Sequence, residues 1–337
     1  MKDALFYERL YNGDVKCTLC PHNCVVKEGR IGICRVRKNV EGKLISENYG
    51  KICSTYFDPI EKKPLYHYFP GKIIFSVGSL GCNLHCRFCQ NWEISQTGVK
   101  DYPFISEVSP VDIVDKALSQ KDNIGIAYTY NEPVVWYEFM LDTAKLAHKK
   151  RLKNVMVTNG FINPEPLKEL IPYIDAFSVD LKAFTDDFYK NYTLSHLDPV
   201  LKSIKIIKDA GIHIELTNLL ITETNDFERD FMKMTEWIAN EVGSDTVLHI
   251  SRYFPTYKMN KPATDVAKLL NFYKIAKRRL KYVFVGNVRT EEGQDTVCPK
   301  CGKVVISRMG YYTHITGLDT SGKCIGCGEK VLCNNCL

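Results

Sequence analysis

From about residue 73 the chain alternates short apolar, often β-branched runs with longer stretches whose apolar positions recur every three or four residues. The runs are IIFSVG (73–78), GIAYTY (125–130), NVMVTNG (154–160), AFSVDLK (176–182), HIELTNLLI (213–221), TVLHISRYF (246–254) and YVFVGNV (282–288). Between them lie helical patterns such as VVWYEFMLDTAKLAHKK (134–150), DPVLKSIKIIKDAG (198–211) and ATDVAKLLNFYKIAKRRL (263–280). Strand and helix in this alternation read as repeated βαβ units, hence a parallel sheet and an α/β fold. The number of units suits a partial or full (β/α) barrel, where chemistry gathers at the C-terminal strand ends. The polar residues of TYNEP (129–133), TNGF (158–161), DLKAF (180–184) and HISR (249–252) each close a predicted strand. Residues 1–72 lack the alternation and are rich in Cys, Gly and Lys; from about residue 296 a compact Cys-rich tail begins. The expected division is an N-terminal Cys-rich metal-binding segment (1–72), a barrel (73–295) and a zinc-ribbon or rubredoxin-like tail (296–337).

The 337 residues suffice for one large barrel with a small appendage. The net charge of +6 is spread along the chain, and its densest basic run, KIAKRRLK (274–281), reads as the solvated face of a helix. Nucleic acid is therefore not an expected partner. No apolar run is long enough to span a bilayer, and MKDALFYERL at the start lacks a signal-peptide core. A cytoplasmic location follows as the expectation. In a reducing compartment the 14 cysteines read as metal ligands, not disulfides.

Most of those cysteines fall into three spaced groups; Cys53, Cys333 and Cys336 are left over. In GCNLHCRFCQN, Cys82, Cys86 and Cys89 are spaced C-x3-C-x2-C, and the next cysteine is the distant Cys298. Three thiolates hold three irons of a 4Fe–4S cluster and leave the fourth open to a ligand. The alternative is a zinc site completed by His85 or a remote thiol. In the tail, CPKCG and CIGCG place Cys298, Cys301, Cys324 and Cys327 as two knuckles of a closed structural zinc ribbon. Rubredoxin-like iron uses the same ligand set. The N-terminal group Cys17, Cys20, Cys24 and Cys34 suits zinc or a second 4Fe–4S cluster, with His22 as a substitute ligand.

The triplet, with Phe88 just before its last cysteine, resembles the radical S-adenosylmethionine (SAM) superfamily. The stretches CTLCPHNC (17–24), GRIGICRVR (29–37), DPIEKKPLYHYFPG (58–71), GCNLHCRFCQNWEIS (81–95), TYNEP, TNGF, DLKAF, HISRYFPTYKM (249–259) and VGNV (285–288) resemble one subfamily. It is the radical SAM enzyme of the AmmeMemoRadiSam system, related to pyruvate formate-lyase activating enzymes, and the resemblance runs from about Cys17 to Cys327. It implies that the open iron chelates SAM. One electron from a ferredoxin- or flavodoxin-type donor then cleaves SAM to a 5′-deoxyadenosyl radical, which takes hydrogen from a substrate. It further implies that Glu132, beside Asn131, holds the SAM amino group, although the two glycines common at this place are missing. A plain cap on the following helix by Asn131 is the structural alternative. Asp180 and Lys182 point to one side of their strand. The resemblance assigns Lys182 to the SAM carboxylate, against a simple ion pair. Thr158, Asn159 and Gly160 form a turn for ribose or methionine, Phe88 lies near adenine, and His249 touches SAM. Val157 replaces an acid that in activating enzymes helps to hold a monovalent cation, so that cation site is not expected. Arg252, with Tyr257 and Lys258, is positioned for an anionic substrate. Implied partners are Memo-like and AMMECR-like proteins or a glycyl radical enzyme. A rival of another class is an RNA-binding protein with zinc in all three cysteine groups.

Overall fold

The structure is a computed structural model and describes residues 2–332. Its centre is an eight-stranded sheet in the order Val283–Gly286, Val247–Arg252, His213–Leu220, Ala176–Asp180, Lys153–Thr158, Asn123–Tyr128, Ile73–Gly78 and Ser54–Pro59. The seven strands from Ile73 onward are parallel, and Ser54–Pro59 adds antiparallel to Ile73–Gly78. Neighbours in space are neighbours in sequence, as repeated βαβ units require. The parallel strands are buried along nearly their whole length, which is why they read as apolar runs and not as alternation. The helices Pro110–Leu118, Tyr137–Lys149, Pro164–Leu170, Leu197–Asp209, Glu228–Trp237 and Val266–Lys277 follow successive strands. The first of these opens on a capping box: the Ser109 hydroxyl accepts from the Asp112 N–H at 3.2 Å, and Asp112 accepts from the Ser109 N–H at 2.7 Å.

The chain between Pro59 and Ile73 is fixed by Glu215, at the N-terminal end of its strand. This fully buried carboxylate accepts from the backbone N–H groups of Tyr66 (2.9 Å) and His67 (2.7 Å) and pairs with His249 (2.7 Å) and His213 (3.0 Å). Its carboxyl is held well below the usual range because the two histidines outweigh the burial that would raise it. The tail packs on the same segment. Arg308 donates to the Tyr66 carbonyl at 2.7 Å and lies over the Tyr66 ring, and Thr313 donates to Glu61 at 2.8 Å. One apolar core joins Ile60, Tyr66, Ile74 and Phe284 to Cys298, Val305, Ile306 and Leu332.

Contacts cross both expected boundaries, at residues 72 and 296. Ser54–Pro59 belongs to the central sheet, and the tail shares a core with the barrel. Within the tail, Thr296–Val297, Val304–Met309 and Tyr312–Ile315 form a small antiparallel sheet. The N-terminal residues build two further small sheets. These are tied to the helix Tyr137–Lys149 by the buried pair Arg37–Glu138 at 2.8 Å. Among the described residues no helix is long and apolar enough to cross a membrane.

Candidate active site

The loop after Ile73–Gly78 carries Cys82, Cys86 and Cys89, and its conformation is set from three sides. Gly81 has φ +85°, and a Cβ there would lie 2.5 Å from the Cys34 carbonyl, so only glycine fits. Asn131 accepts from the Ser79 N–H at 3.1 Å and donates to the Gly81 carbonyl at 2.8 Å. Asn83 donates to the Phe161 carbonyl at 2.7 Å and accepts from the Asn159 amide at 2.9 Å. The loop is thus pinned to the ends of two neighbouring strands. Burial pushes the thiol of Cys86 up to about 12 and that of Cys82 up as well. Coordinating iron displaces such protons.

The three thiols open onto a cleft of about 510 Å³ at the C-terminal strand ends. Phe88, Asn131, Glu132, Thr158, Asn159, Asp180 and Lys182 line the same cleft. Glu132 accepts from the Val134 N–H (3.1 Å), the Thr158 hydroxyl (2.7 Å) and the Asn159 N–H (2.8 Å). A carboxylate offers about four acceptor sites, so one remains. Burial raises its carboxyl to about 7, against those hydrogen bonds, which lower it. The cap on the helical turn that follows is Glu132 and not Asn131, whose amide is spent on the cysteine loop. Pro133 opens that turn, as its fixed φ favours.

Lys182 pairs with Asp180 at 2.8 Å, and its ammonium lies 6.0 Å from the Phe88 ring centre. Burial would lower its pKa, but Asp180 and Cys86 outweigh this and hold it above the usual lysine range. The lysine side chain is 14% exposed and its aspartate 39%, so the pair sits at the wall of the cleft with the carboxylate facing water. Phe88 packs near Phe188, with ring centres 5.8 Å apart. Val157 also lines the cleft, leaving no carboxylate at that position.

Four expected contacts lie elsewhere. His249 is buried against Glu215, Tyr66 and Phe284 and is not part of the cleft wall. Two residues on, Ser251 lines the cleft instead. Arg252 donates to the Thr264 carbonyl at 2.8 Å and stacks on Phe254. Tyr257 stacks on Trp92 with ring centres 5.2 Å apart, and Lys258 lies over Tyr257. His85 meets the Ile33 carbonyl at 3.2 Å, and His22 meets the Asn83 carbonyl at 2.7 Å, each through its Nε2.

The sequence reading missed Lys62, Lys63, Tyr130, Thr217, Ser251, Asn287 and Tyr311, all of which line the cleft. Lys62, Lys63 and Tyr130 are gathered by Asp58, at 2.8, 2.6 and 2.8 Å. Tyr311 comes from the tail, for which local sequence gives no signal. The buried hydroxyl of Thr217 has no partner, so this wall offers an unspent polar group to a bound ligand. The donor set fits an open-iron cluster: three thiols from one loop, with no further Cys and no His among the described lining residues.

In the tail, Sγ atoms lie 3.6 Å apart for Cys298 and Cys327 and 3.7 Å apart for Cys301 and Cys324, with all four ligand atoms within 4.8 Å. Four thiolates around one tetrahedral ion need this spacing, and the group fits a zinc-ribbon-like site. Cys333 and Cys336 lie outside the described residues. Cys53, left over in sequence, approaches the Ser79 carbonyl at 3.0 Å.

The model of the Radical SAM superfamily matches residues 76–238. An uncharacterized protein of Methanocaldococcus jannaschii is 42% identical over 334 residues, 98% of this chain and 99% of its own length. The pyruvate formate-lyase-activating enzyme of Clostridium pasteurianum is 22% identical over 168 residues, 48% of this chain and 67% of that enzyme. Among solved structures, Streptococcus suis SuiB bound to S-adenosylmethionine aligns with a TM-score of 0.51 at 14% identity. That alignment covers 68% of this chain and 54% of SuiB, and shows a shared fold. Superfamily membership implies a 4Fe–4S cluster and SAM, and its members are enzymes of radical chemistry. With its three-thiol loop at the C-terminal end of a parallel sheet, this chain belongs to the radical SAM superfamily and is similar to pyruvate formate-lyase activating enzymes.

Proposed function

We propose that this chain reductively cleaves SAM and uses the radical to take hydrogen from a small-molecule or protein substrate of the AmmeMemoRadiSam system. The observation that carries this reading is the convergence of Cys82, Cys86 and Cys89 with Glu132, Asp180 and Lys182 on one cleft. When bound, the cluster and SAM supply an electron and a 5′-deoxyadenosyl radical. The protein's residues bind and orient. Lys182 sets an ammonium beside Cys86, where a carboxylate gains a charge-assisted hydrogen bond. Glu132 keeps one acceptor site for an ammonium and fixes the Thr158–Asn159 turn. Asn159 holds its amide 3.8 Å from the Cys82 sulfur. Leu84, Val157 and Leu219 give the cleft an apolar lining that keeps water from a reactive radical. The wall of Lys62, Lys63, Pro64 and Tyr311 comes from outside the βα units, and we assign it to the substrate.

The activating enzymes among its relatives favour a second reading, generation of a glycyl radical on a partner enzyme. Memo-like and AMMECR-like proteins are the proposed partners under the first reading. Under both, a ferredoxin- or flavodoxin-type protein donates the electron in the cytoplasm, a compartment that keeps the cysteines reduced. The test is anaerobic: the purified protein should be brown, and dithionite with SAM should yield 5′-deoxyadenosine. Replacing Cys82, Cys86 or Cys89 with Ala should abolish that product. Undiminished product from any of the three, or a colourless protein with affinity for RNA, would sink the proposal. A glycyl radical signal on a co-expressed partner would select the second reading.

A further inference from the structure

The cysteine groups differ in a way that metal chemistry distinguishes. A tetrahedral zinc with bonds of about 2.3 Å holds its thiolates roughly 3.8 Å apart. The tail group has that spacing. Among the described residues it is also the group whose ligand atoms come within 4.8 Å of one another. Cys17, Cys20, Cys24 and Cys34 are not drawn together in this way. They stand around a small cavity of about 20 Å³, with Val26 and Val135 among its apolar walls. One water needs roughly 10–15 Å³, whereas four thiolates closed on a single ion leave no such void. The ligand atoms of Cys82, Cys86 and Cys89 are likewise not all within 4.8 Å of one another. Thiols on the walls of a void suit a polynuclear cluster, in which each thiolate takes its own iron and sulfides fill the centre.

Arg37 is 2% exposed and lines this same cavity. Its Nη atoms are spent on Glu138 and the Leu5 carbonyl, but its Nε has no partner. A buried N–H left unpaired is destabilising, and sulfur in the cavity would accept from it. Hydrogen bonds to sulfur and a nearby cation are features that tune iron–sulfur potentials. The group also abuts the cysteine loop of the cleft. Cys34 presses its carbonyl against Gly81, His22 holds the Asn83 carbonyl, and His85 holds that of Ile33.

We propose that Cys17, Cys20, Cys24 and Cys34 bind a second, fully thiolate-ligated 4Fe–4S cluster beside the SAM-binding loop, with the Arg37 Nε–H as a buried donor to it. The proposal goes beyond the proposed reaction and stands independently of it. The test uses the full-length chain with Cys82, Cys86 and Cys89 all replaced by Ala, reconstituted without oxygen. Iron, acid-labile sulfide and zinc are counted, and the dithionite-reduced protein is examined by EPR. About four irons and about four sulfides per chain should remain. They should be accompanied by one zinc and by an EPR signal that SAM does not alter. Two zincs with almost no iron, or one iron without sulfide, would overturn the assignment. If the triple variant does not fold, the wild-type protein decides. About eight irons with one zinc support the second cluster, and about four irons refute it.

Discussion

Replacing Lys182 with Met separates SAM recognition from structural support. Methionine keeps most of the stem that passes Phe88 and removes only the ammonium. In the free protein that ammonium is paired with Asp180 at 2.8 Å. Asp180 is 39% exposed, so water can hydrate it once the lysine is gone. A pair with one hydrated partner contributes about 0–1 kcal/mol, and the melting temperature should fall by about 4 °C at most. With SAM bound the ammonium also faces a carboxylate, and a hydrogen bond to a charged group contributes about 1.5–3 kcal/mol. At roughly 1.4 kcal/mol per tenfold, the dissociation constant for SAM should rise about 10- to 150-fold. Anaerobic calorimetry on the reconstituted protein measures the affinity, and a thermal scan measures the fold. Unchanged affinity together with a large fall in melting temperature would make the residue a structural ion-pair partner and refute the reasoning.

Glu132→Gln replaces an acceptor oxygen with a donor, so the Thr158 hydroxyl or the Asn159 N–H loses its partner. The cost should be about 1–3 kcal/mol in stability, with slower 5′-deoxyadenosine formation and a changed EPR line shape of the cluster; an unchanged line shape and rate would contradict it. Asp58 is buried, yet hydrogen bonds from Lys62 and Lys63 outweigh that burial and hold its carboxyl at about 2, below its ordinary 3.8. A depressed carboxylate stabilises the fold above its unfolded pKa, and that contribution is lost as pH falls through the folded one. Asp58→Asn should therefore cost about 2 kcal/mol at pH 7, and its difference from wild type should shrink between about pH 4 and pH 2. A gap independent of pH would count against the pairing. Ile306→Ala empties a fully buried tail position in the core shared with the barrel. It should lower one cooperative unfolding transition by about 2–5 kcal/mol, and a separate tail transition in calorimetry would contradict the shared core.

The strands, and the motifs that end them, were legible because each is a local pattern. Burial on both faces gives a parallel strand a continuous apolar run, and the first polar residues after the run mark the end that carries chemistry. Depth was not legible. Alternation along TVLHISRYF gives His249 and Ser251 a common side but does not say which of them reaches the cleft. The decision lies with Glu215, on the neighbouring strand, which takes His249 as its partner. Glu215 was itself overlooked because its other partners, Tyr66 and His67, are about 150 positions away in the chain. Lys62 and Lys63 lay within a quoted stretch, but nothing local shows that Asp58 and Tyr130 hold them at the cleft. Asn131 misled in another way: a residue type that usually caps helices braces the cysteine loop, and the glutamate after it does the capping.

The tail joins stability to the site. A segment as short as 296–332 buries little core of its own, so a metal at Cys298, Cys301, Cys324 and Cys327 contributes directly to its folding. That folded tail places Arg308 on Tyr66, Thr313 on Glu61 and Tyr311 in the wall of the cleft. Tyr66, in turn, is held by Glu215, which also sequesters His249. Loss of the tail's metal would therefore reach the cleft through Tyr311 and the 60–67 segment, the wall assigned to substrate. The cysteine triplet and the Glu132 clamp belong to the loop and the strand ends, and make none of these tail contacts. On this argument the tail's metal bears on how substrate is held, while the groups assigned to SAM keep their own support.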